Sequence, residues 1–205
     1  MKNRIAVKTL VVLFFGFFLF FAADREVRAG EATNQIKGTI DEVIKILNIK
    51  ELKKPGKEKD RQTRIRATIE KRFDFAEMAK RSLGIYWKQR TPEEQKEFTS
   101  LFSDLLEDTY IRKIERYEDE KVEYNSEKVE GSYADVKTTI KTTKGTEISV
   151  DYRIFKEGEK WEVYDIIVEG VSLVNNYRTQ FNDVIHSSSY GELIQRLQKK
   201  SLKGS

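Results

Sequence analysis

The spacing of apolar residues along this chain of 205 residues changes from a helical period to a strand period and back again. Four segments alternate between apolar and polar residues, which predicts strands at 121–130, 132–143, 146–156 and 160–169. In the third segment, Ile148, Val150 and Tyr152 are separated by single polar residues. This alternation predicts an antiparallel sheet with one apolar face and one solvated face.

Helices are predicted on both sides of the sheet in the sequence, over about 36–117 and about 172–200. Asp74 and Thr91 each precede a Glu by three residues, the pattern of a capping box, and Gly84 is expected to end the helix that Asp74 begins. Ser172 can cap the helix that follows the strands. Helices, then a four-stranded meander, then helices indicate an α+β fold in which the helices wrap the sheet and enclose an apolar cavity.

The first 29 residues have the order of a secretory signal peptide. Lys2, Arg4 and Lys8 precede an uncharged apolar run of 14 residues, and Ala29 ends a short segment with the small residues of a cleavage site. This order predicts that 1–29 is removed and that 30–205 is exported as a single domain. An uncleaved membrane anchor is the alternative, although a spanning helix needs about 20 apolar residues. The chain has no Cys, which excludes a lipid-anchored lipoprotein.

The charge of the exported part differs from that of the whole chain. The chain has 38 basic and 34 acidic residues, of which five basic and two acidic ones lie in 1–29. The exported part therefore holds 33 and 32, a net charge of +1. A nearly neutral, mixed surface removes the electrostatic support for nucleic-acid binding, so no nucleic-acid partner is expected.

Residue types that carry catalysis or bind metals are sparse. His186 is the one histidine, and a lone His without Cys cannot complete a metal site of the usual ligand count. Asp165 and Glu169 interrupt an apolar strand; an acid inside an apolar pocket is one interpretation, and an outward-facing pair is the favoured one. The sequence also has no glycine-rich phosphate loop and no nucleophile elbow. It therefore predicts no catalytic residue, no metal and no cofactor, and it disfavours an enzyme.

Three segments carry a resemblance to a known family. Segment 161–181 reads WEVYDIIVEGVSLVNNYRTQF, segment 73–87 reads FDFAEMAKRSLGIYW, and segment 91–95 reads TPEEQ and is followed by apolar residues at helical spacing. In order and spacing they resemble the MlaC family of periplasmic phospholipid-binding proteins, also called the toluene-tolerance or auxiliary ABC-transport family. The resemblance covers roughly residues 36–200.

The resemblance implies a twisted antiparallel sheet of NTF2 or cystatin type and a location in the periplasm. It implies a monomeric carrier that shuttles phospholipid between the outer and inner membranes and maintains outer-membrane lipid asymmetry, with the bound phospholipid as cargo. The implied partners are an inner-membrane ABC transporter complex with an MCE-domain subunit and an outer-membrane lipoprotein–porin complex.

The expected lipid-binding residues come from the apolar stripe of the 91–117 helix, which should face the sheet, from the apolar face of the sheet, and from the segments after Gly84 and Ser172. They are Tyr86, Trp87, Phe98, Phe102, Leu105, Leu106, Tyr110, Val136, Ile148, Val150, Tyr152, Val163, Ile166, Leu173, Tyr177 and Phe181. Taken singly, each of these residues is more often ordinary core than cavity wall, and the family resemblance favours the wall. Arg178 is expected to pair with a buried acid such as Asp165, with a lipid phosphate as the alternative.

Other functions remain open at this stage. The same cavity could carry another hydrophobic compound, such as a solvent. An NTF2-like enzyme could use Asp165 or Glu169 as its proton carrier. A structural protein of the envelope would have no cavity at all.

Overall fold

The computed structural model describes residues 30–204, with side chains described through Lys200. The predicted signal peptide at 1–29 lies outside the described residues. Within them, the α-helices are α1 (Glu31–Leu47), α2 (Glu58–Glu70), α3 (Phe75–Leu83), α4 (Pro92–Ile114), α5 (Leu173–Ser187) and α6 (Tyr190–Gly204). Short 3-10 helices at Lys50–Lys53 and Gly84–Gln89 follow α1 and α3.

The strands form one antiparallel sheet in sequence order. They are β1 (Lys121–Glu130), β2 (Tyr133–Lys141), β3 (Glu147–Glu157), β4 (Lys160–Val168) and β5 (Val171–Ser172). The predicted α+β class and antiparallel sheet are confirmed, but the predicted number of four strands is corrected to five. The chain reverses tightly after β4, with φ of 50° at Glu169 and 77° at Gly170, and returns alongside it as β5. Glycine adopts such a φ without steric penalty.

The caps of α4 and α5 agree with the sequence prediction. The Thr91 hydroxyl accepts a hydrogen bond from the Glu94 N–H at 3.2 Å, and the Glu94 carboxylate accepts one from the Thr91 N–H at 2.9 Å. This reciprocal pair is a complete capping box. At the start of α5, the Ser172 hydroxyl accepts from the Asn175 N–H at 3.0 Å.

The start of α3 forms only half of its predicted capping box. The Asp74 carboxylate accepts from the Glu77 N–H at 2.8 Å, but the Glu77 carboxylate pairs with two basic side chains of the next turn. The Asp74 N–H instead donates to the Val163 carbonyl of β4 at 3.0 Å. The beginning of α3 is therefore attached to the sheet. Gly84 ends α3 as predicted, with φ of 60°.

The largest buried cluster lies among α3, α4, α5 and α6. Its centre consists of the rings of Phe98, Phe102, Tyr177 and Phe181, whose contacting pairs have centroids between 5.4 and 6.0 Å apart. The expectation that the whole apolar stripe of α4 faces the sheet is therefore wrong. Most of the stripe is covered by α5 and α6, because these helices return across α4 after the sheet is complete.

Two smaller clusters attach α1 to the rest of the protein. Its first half packs on the sheet, where Ile36 meets Val136, Ile154 and Val163. Its last turn packs on α2 and on the short 3-10 helix, through a cluster formed by Ile46, Leu47, Leu52 and Ile65. Between these two clusters the middle of α1 faces a space that side chains do not fill.

Candidate functional site

A cavity of about 500 Å³ lies between the sheet and helices α1, α2 and α4. The sheet side is formed by one face of β1 to β4 and is apolar apart from the hydroxyl of Tyr152: Val122, Ile140, Ile148, Val150, Tyr152, Ile166 and Val168. The register places these side chains on one face, since Ile140 pairs with Ile148, and Tyr152 pairs with Ile166. The volume is within the range of about 300–1,000 Å³ that small-molecule sites have.

The helical side is formed mainly by α1 and α4. Helix α1 contributes its apolar stripe, Ile36, Ile40, Val43, Ile44 and Leu47, and α4 contributes Leu106, Tyr110, Ile111, Ile114 and, just beyond its end, Tyr117. Further apolar side chains close the cavity between them: Ile69, Phe73, Phe75, Met78 and Leu173. The site is therefore apolar on both sides.

Many of these apolar side chains are only half-buried. Ile36 and Met78 are about 1% exposed, as in any core, but Ile40, Ile114 and Val168 keep part of their surface accessible. Removing apolar surface from water is worth about 25 cal/mol per Å². Because this concave interior surface stays accessible, its burial does not contribute to folding. An apolar ligand that entered the cavity would bury the same surface.

Seven polar or charged side chains complete the lining: Thr39, Arg66, Arg72, Glu107, Lys113, Glu120 and Thr142. The Arg72 guanidinium is occupied by the fold, because it donates to the Gln35 side chain and to the Trp161 carbonyl, each at 2.6 Å. Burial raises the pKa of Tyr152 to about 12, so its hydroxyl stays neutral. The chemistry of the lining suits hydrocarbon with a polar group at the edge.

Glu107 is a carboxylate in this lining whose pKa is raised well above its ordinary value. Burial is the main cause that raises its pKa to about 7; Arg66, which forms an ion pair with it, lowers the pKa, and Glu70 and Asp104 raise it. The Arg66–Glu107 pair joins α2 to α4 at the cavity wall.

Glu107→Gln is expected to flatten the pH dependence of stability between about pH 4.5 and 7. The pKa of Glu107 is higher in the folded protein than its usual value of 4.5, so the folded state binds this proton more tightly than the unfolded chain does. Wild-type stability should therefore fall as the pH rises through that window, and the neutral variant should lose this component. Urea unfolding at pH 5 and pH 8 measures it. The exposed carboxylate of Glu42 on α1 supplies a matched control, Glu42→Gln, and equal pH slopes for wild type and Glu107→Gln would contradict the prediction.

The structure places seven of the sixteen sequence-predicted binding residues at this cavity. They are Leu106, Tyr110, Ile148, Val150, Tyr152, Ile166 and Leu173. Six of them lie on the part of α4 or of the sheet that α5 and α6 do not cover, and Leu173 is the first residue of α5.

The structure places the other nine elsewhere. Five of them are buried in the helical core: Phe98, Phe102, Leu105, Tyr177 and Phe181. Tyr86 is half-buried and packs against the edge of that core. Val136 and Val163 are on the sheet face that the first half of α1 covers. Trp87 also packs on the helical core and lines a separate open groove beside α2, α3 and α4.

Sequence reasoning missed the contribution of α1 and α2 to the cavity. Ile40, Val43, Ile44 and Leu47 recur at helical spacing in the sequence and form the apolar stripe of α1, but none of them is among the sequence-predicted binding residues. Ile69 of α2 and Ile111 of α4 belong to the same wall. The helical period was a usable signal for these residues, but it does not say which layer the stripe faces.

Two expectations about charged residues are corrected. Asp165 faces away from the cavity, as expected of an outward residue, but it is only 3% exposed. Its carboxylate accepts from the Ser172 hydroxyl at 2.6 Å and the Val174 N–H at 3.1 Å, so the start of α5 covers it. Its basic partner is Arg153, at 3.4 Å, and not Arg178, whose Nε donates to the Arg81 carbonyl at 2.8 Å. Arg178 is held by α3 and forms no ion pair with Asp165.

In residues 30–204 no group of three or more His, Cys, Asp or Glu side chains is arranged to hold a metal ion. None of the helices described there combines the length and the apolar character that crossing a membrane requires.

Comparison with known proteins places the chain in a family. The family model for the MlaC protein matches residues 37–199. The chain belongs to the MlaC family. The matched range includes every residue that lines the cavity except Ile36.

Two relatives can be compared in more detail. The intermembrane phospholipid transport system binding protein MlaC of Haemophilus influenzae is 25% identical over 124 residues, and the match spans 58% of each chain. The phospholipid-binding protein of Ralstonia solanacearum, solved in complex with a phospholipid at 1.53 Å, is 27% identical with a TM-score of 0.77. That similarity covers 85% of this chain and 99% of the Ralstonia chain.

Proposed function

We propose that this MlaC-family protein binds phospholipid and carries it through the periplasm between the outer and inner membranes, which maintains outer-membrane lipid asymmetry. The observation that carries the proposal is the apolar cavity between the sheet and helices α1, α2 and α4. The Ralstonia relative, whose fold covers 85% of this chain, was solved with a phospholipid bound, which supports a lipid as the occupant.

The physical chemistry of the cargo explains why a cavity of this kind is needed. A diacyl lipid carries on the order of thirty methylenes, and transfer of each from water to an apolar environment is worth about 0.8 kcal/mol. Free lipid in water is therefore unfavourable by about 20 kcal/mol. A carrier has to cover the tails with side chains such as Ile44, Ile111 and Ile148, whereas the headgroup can remain in water.

Export to the periplasm through the predicted signal peptide is part of the proposal. We also propose the partners that the family resemblance implies: an inner-membrane ABC transporter complex with an MCE-domain subunit, and an outer-membrane lipoprotein–porin complex. A monomeric carrier without a resident cofactor fits this role, because its cargo has to leave.

The chain is proposed to be a carrier and not an enzyme. Asp165 and Glu169, the acids that an NTF2-like enzyme could use, are both absent from the cavity lining. Asp165 is buried against α5, and the Glu169 carboxylate accepts from the Ser149 N–H at 2.5 Å. Both carboxylates therefore have structural partners that account for them.

Lipid extraction tests the proposed function. The protein is incubated with vesicles of phosphatidylethanolamine and phosphatidylglycerol, separated from them, and extracted with organic solvent for mass spectrometry. We expect about one phospholipid per protein molecule. Protein that never carries phospholipid contradicts the proposal, and protein that loses its phospholipid to a sterol or an aromatic solvent at equal concentration indicates a different hydrophobic cargo.

A further inference from the structure

Two side chains mark the rim of the cavity. Of all its lining residues, only Arg66 and Lys113 are exposed, and every other one is half-buried or buried. Both are cations, whereas the interior is apolar. A side chain that lines a cavity and is also exposed has to lie where the cavity meets the solvent.

The two rim cations differ in their partners. The guanidinium of Arg66 forms an ion pair with Glu107. The ammonium of Lys113 has no carboxylate within 4.0 Å among the described residues. It lies 5.0 Å from the centroid of the Tyr110 ring, which also lines the cavity. A cation over an aromatic ring is held by the negative face of the ring without being neutralised.

We propose that Lys113 binds the phosphate of a phospholipid whose acyl chains occupy the cavity. This inference rests on the proposed function and adds the residue that selects a phospholipid over an uncharged lipid. The phosphodiester is the first charged group beyond the acyl chains, so it lies at the rim when the chains are inside. The ammonium offers three donors and a full positive charge to it.

Tyr110 has a positioning role in this site. Its position three residues before Lys113 puts both side chains on the same face of α4, at the last turns of that helix. The ring directs the lysine stem along the cavity wall, so that the ammonium stays at the rim when no phosphate is bound. Because the lysine contacts only the phosphate, groups beyond the phosphate are not selected by it.

The test compares two lipids with identical acyl chains, phosphatidylglycerol and diacylglycerol, in displacement of a fluorescent fatty acid from the protein. Lys113→Gln is expected to weaken phosphatidylglycerol binding about two- to fivefold, the range for an ion pair at a solvent-exposed rim, and to leave diacylglycerol binding unchanged. Lys113→Arg should restore the preference. Arg112→Gln is the matched control, because Arg112 is the neighbouring exposed cation of α4 and does not line the cavity.

Each other result overturns the inference. An equal change for both lipids, or no change for either, means that Lys113 does not bind the phosphate. If glycerol phosphate displaces the fluorescent fatty acid as effectively as phosphatidylglycerol does, the residue binds free anions and the acyl chains are not needed. Wild-type protein that binds neither lipid contradicts the proposed function itself, whereas binding of both lipids with equal affinity contradicts only the role of Lys113.

Discussion

Ile166→Trp is expected to abolish phospholipid loading while the protein stays folded. Ile166 lies on the cavity face of β4, opposite Tyr152, and its side chain is half-buried because the space in front of it is unfilled. An indole there would occupy the volume that acyl chains need. Trp buries about 150–250 Å² when enclosed, so the substitution should fill the cavity at little cost in stability. We expect lipid per protein to fall at least about tenfold, since a tenfold loss corresponds to only about 1.4 kcal/mol.

Ile167→Trp is the matched control for this prediction. Ile167 is the next residue of β4, is also half-buried, and points to the opposite face of the sheet, where it pairs with Asp151 and Ser172. The same substitution one residue along therefore adds the same ring without entering the cavity. Mass spectrometry of extracted lipid measures loading, and circular dichroism checks folding. Full loading of Ile166→Trp, or equal losses for the two variants, would contradict the assignment of the cavity as the lipid site.

Asp165→Ala is expected to lower the free energy of unfolding by about 3 kcal/mol. The carboxylate is buried and accepts hydrogen bonds from Ser172 and Val174 at the beginning of α5, besides pairing with Arg153. Removing it leaves a buried N–H and a hydroxyl without their acceptor and detaches α5 from β4. For a chain of this size each kcal/mol corresponds to about 2–4 °C, so Tm should fall by about 6–12 °C.

Asp151→Ala is the control for the loss of a carboxylate on the same side of the sheet. Asp151 is half-buried on the neighbouring strand β3 and pairs across to Ile167. Its substitution should change Tm by less than about 2 °C, as surface substitutions usually do. Asp165→Asn should fall between the two, because the amide oxygen can still accept from Val174. Thermal unfolding with an unchanged Tm for Asp165→Ala would show that the carboxylate does not hold α5 on the sheet.

The sequence predicted the elements of this fold well because their ends carry local signals. Thr91 with Glu94, Ser172 and Gly84 each mark a helix boundary through a hydrogen bond or a backbone conformation that nearby residues determine. The fifth strand was missed for a related reason. Val171 and Ser172 are too short a segment to show alternation, and their pairing depends on the tight reversal at Glu169 and Gly170.

In β4, strict alternation does not predict correctly which face of the sheet each side chain occupies. Val163 faces the interior and so does Ile166, three residues later, although strict alternation would put them on opposite faces. The register of β3 and β4 shifts between Arg153 and Ile154, and this irregularity reverses the alternation. A bulge is set by pairing with the neighbouring strand, so a single strand's pattern does not reveal it.

The sequence predicted an apolar cavity enclosed by the sheet and the helices, but it identified only part of the lining. Phe98 and Phe102 have the same apolar character as Tyr110, and all three lie on one helix, yet only Tyr110 reaches the cavity. The difference arises because α5 and α6 cover the first turns of α4 and leave its last turns open. That packing joins segments far apart in the sequence, and apolar periodicity gives no information about it.

Ile40 and Val168 are only partly covered by other side chains, and this affects how a bound lipid is transferred. The empty protein exposes part of its apolar cavity to water. A lipid that binds there stabilises the folded state, so the Tm should rise with the fraction of protein that carries lipid. Release of the lipid into water would remove this stabilisation and would also expose the acyl chains to water. Under the proposed carrier function, delivery therefore requires direct contact with a receiving protein or bilayer that offers an equally apolar environment before the lipid leaves the cavity.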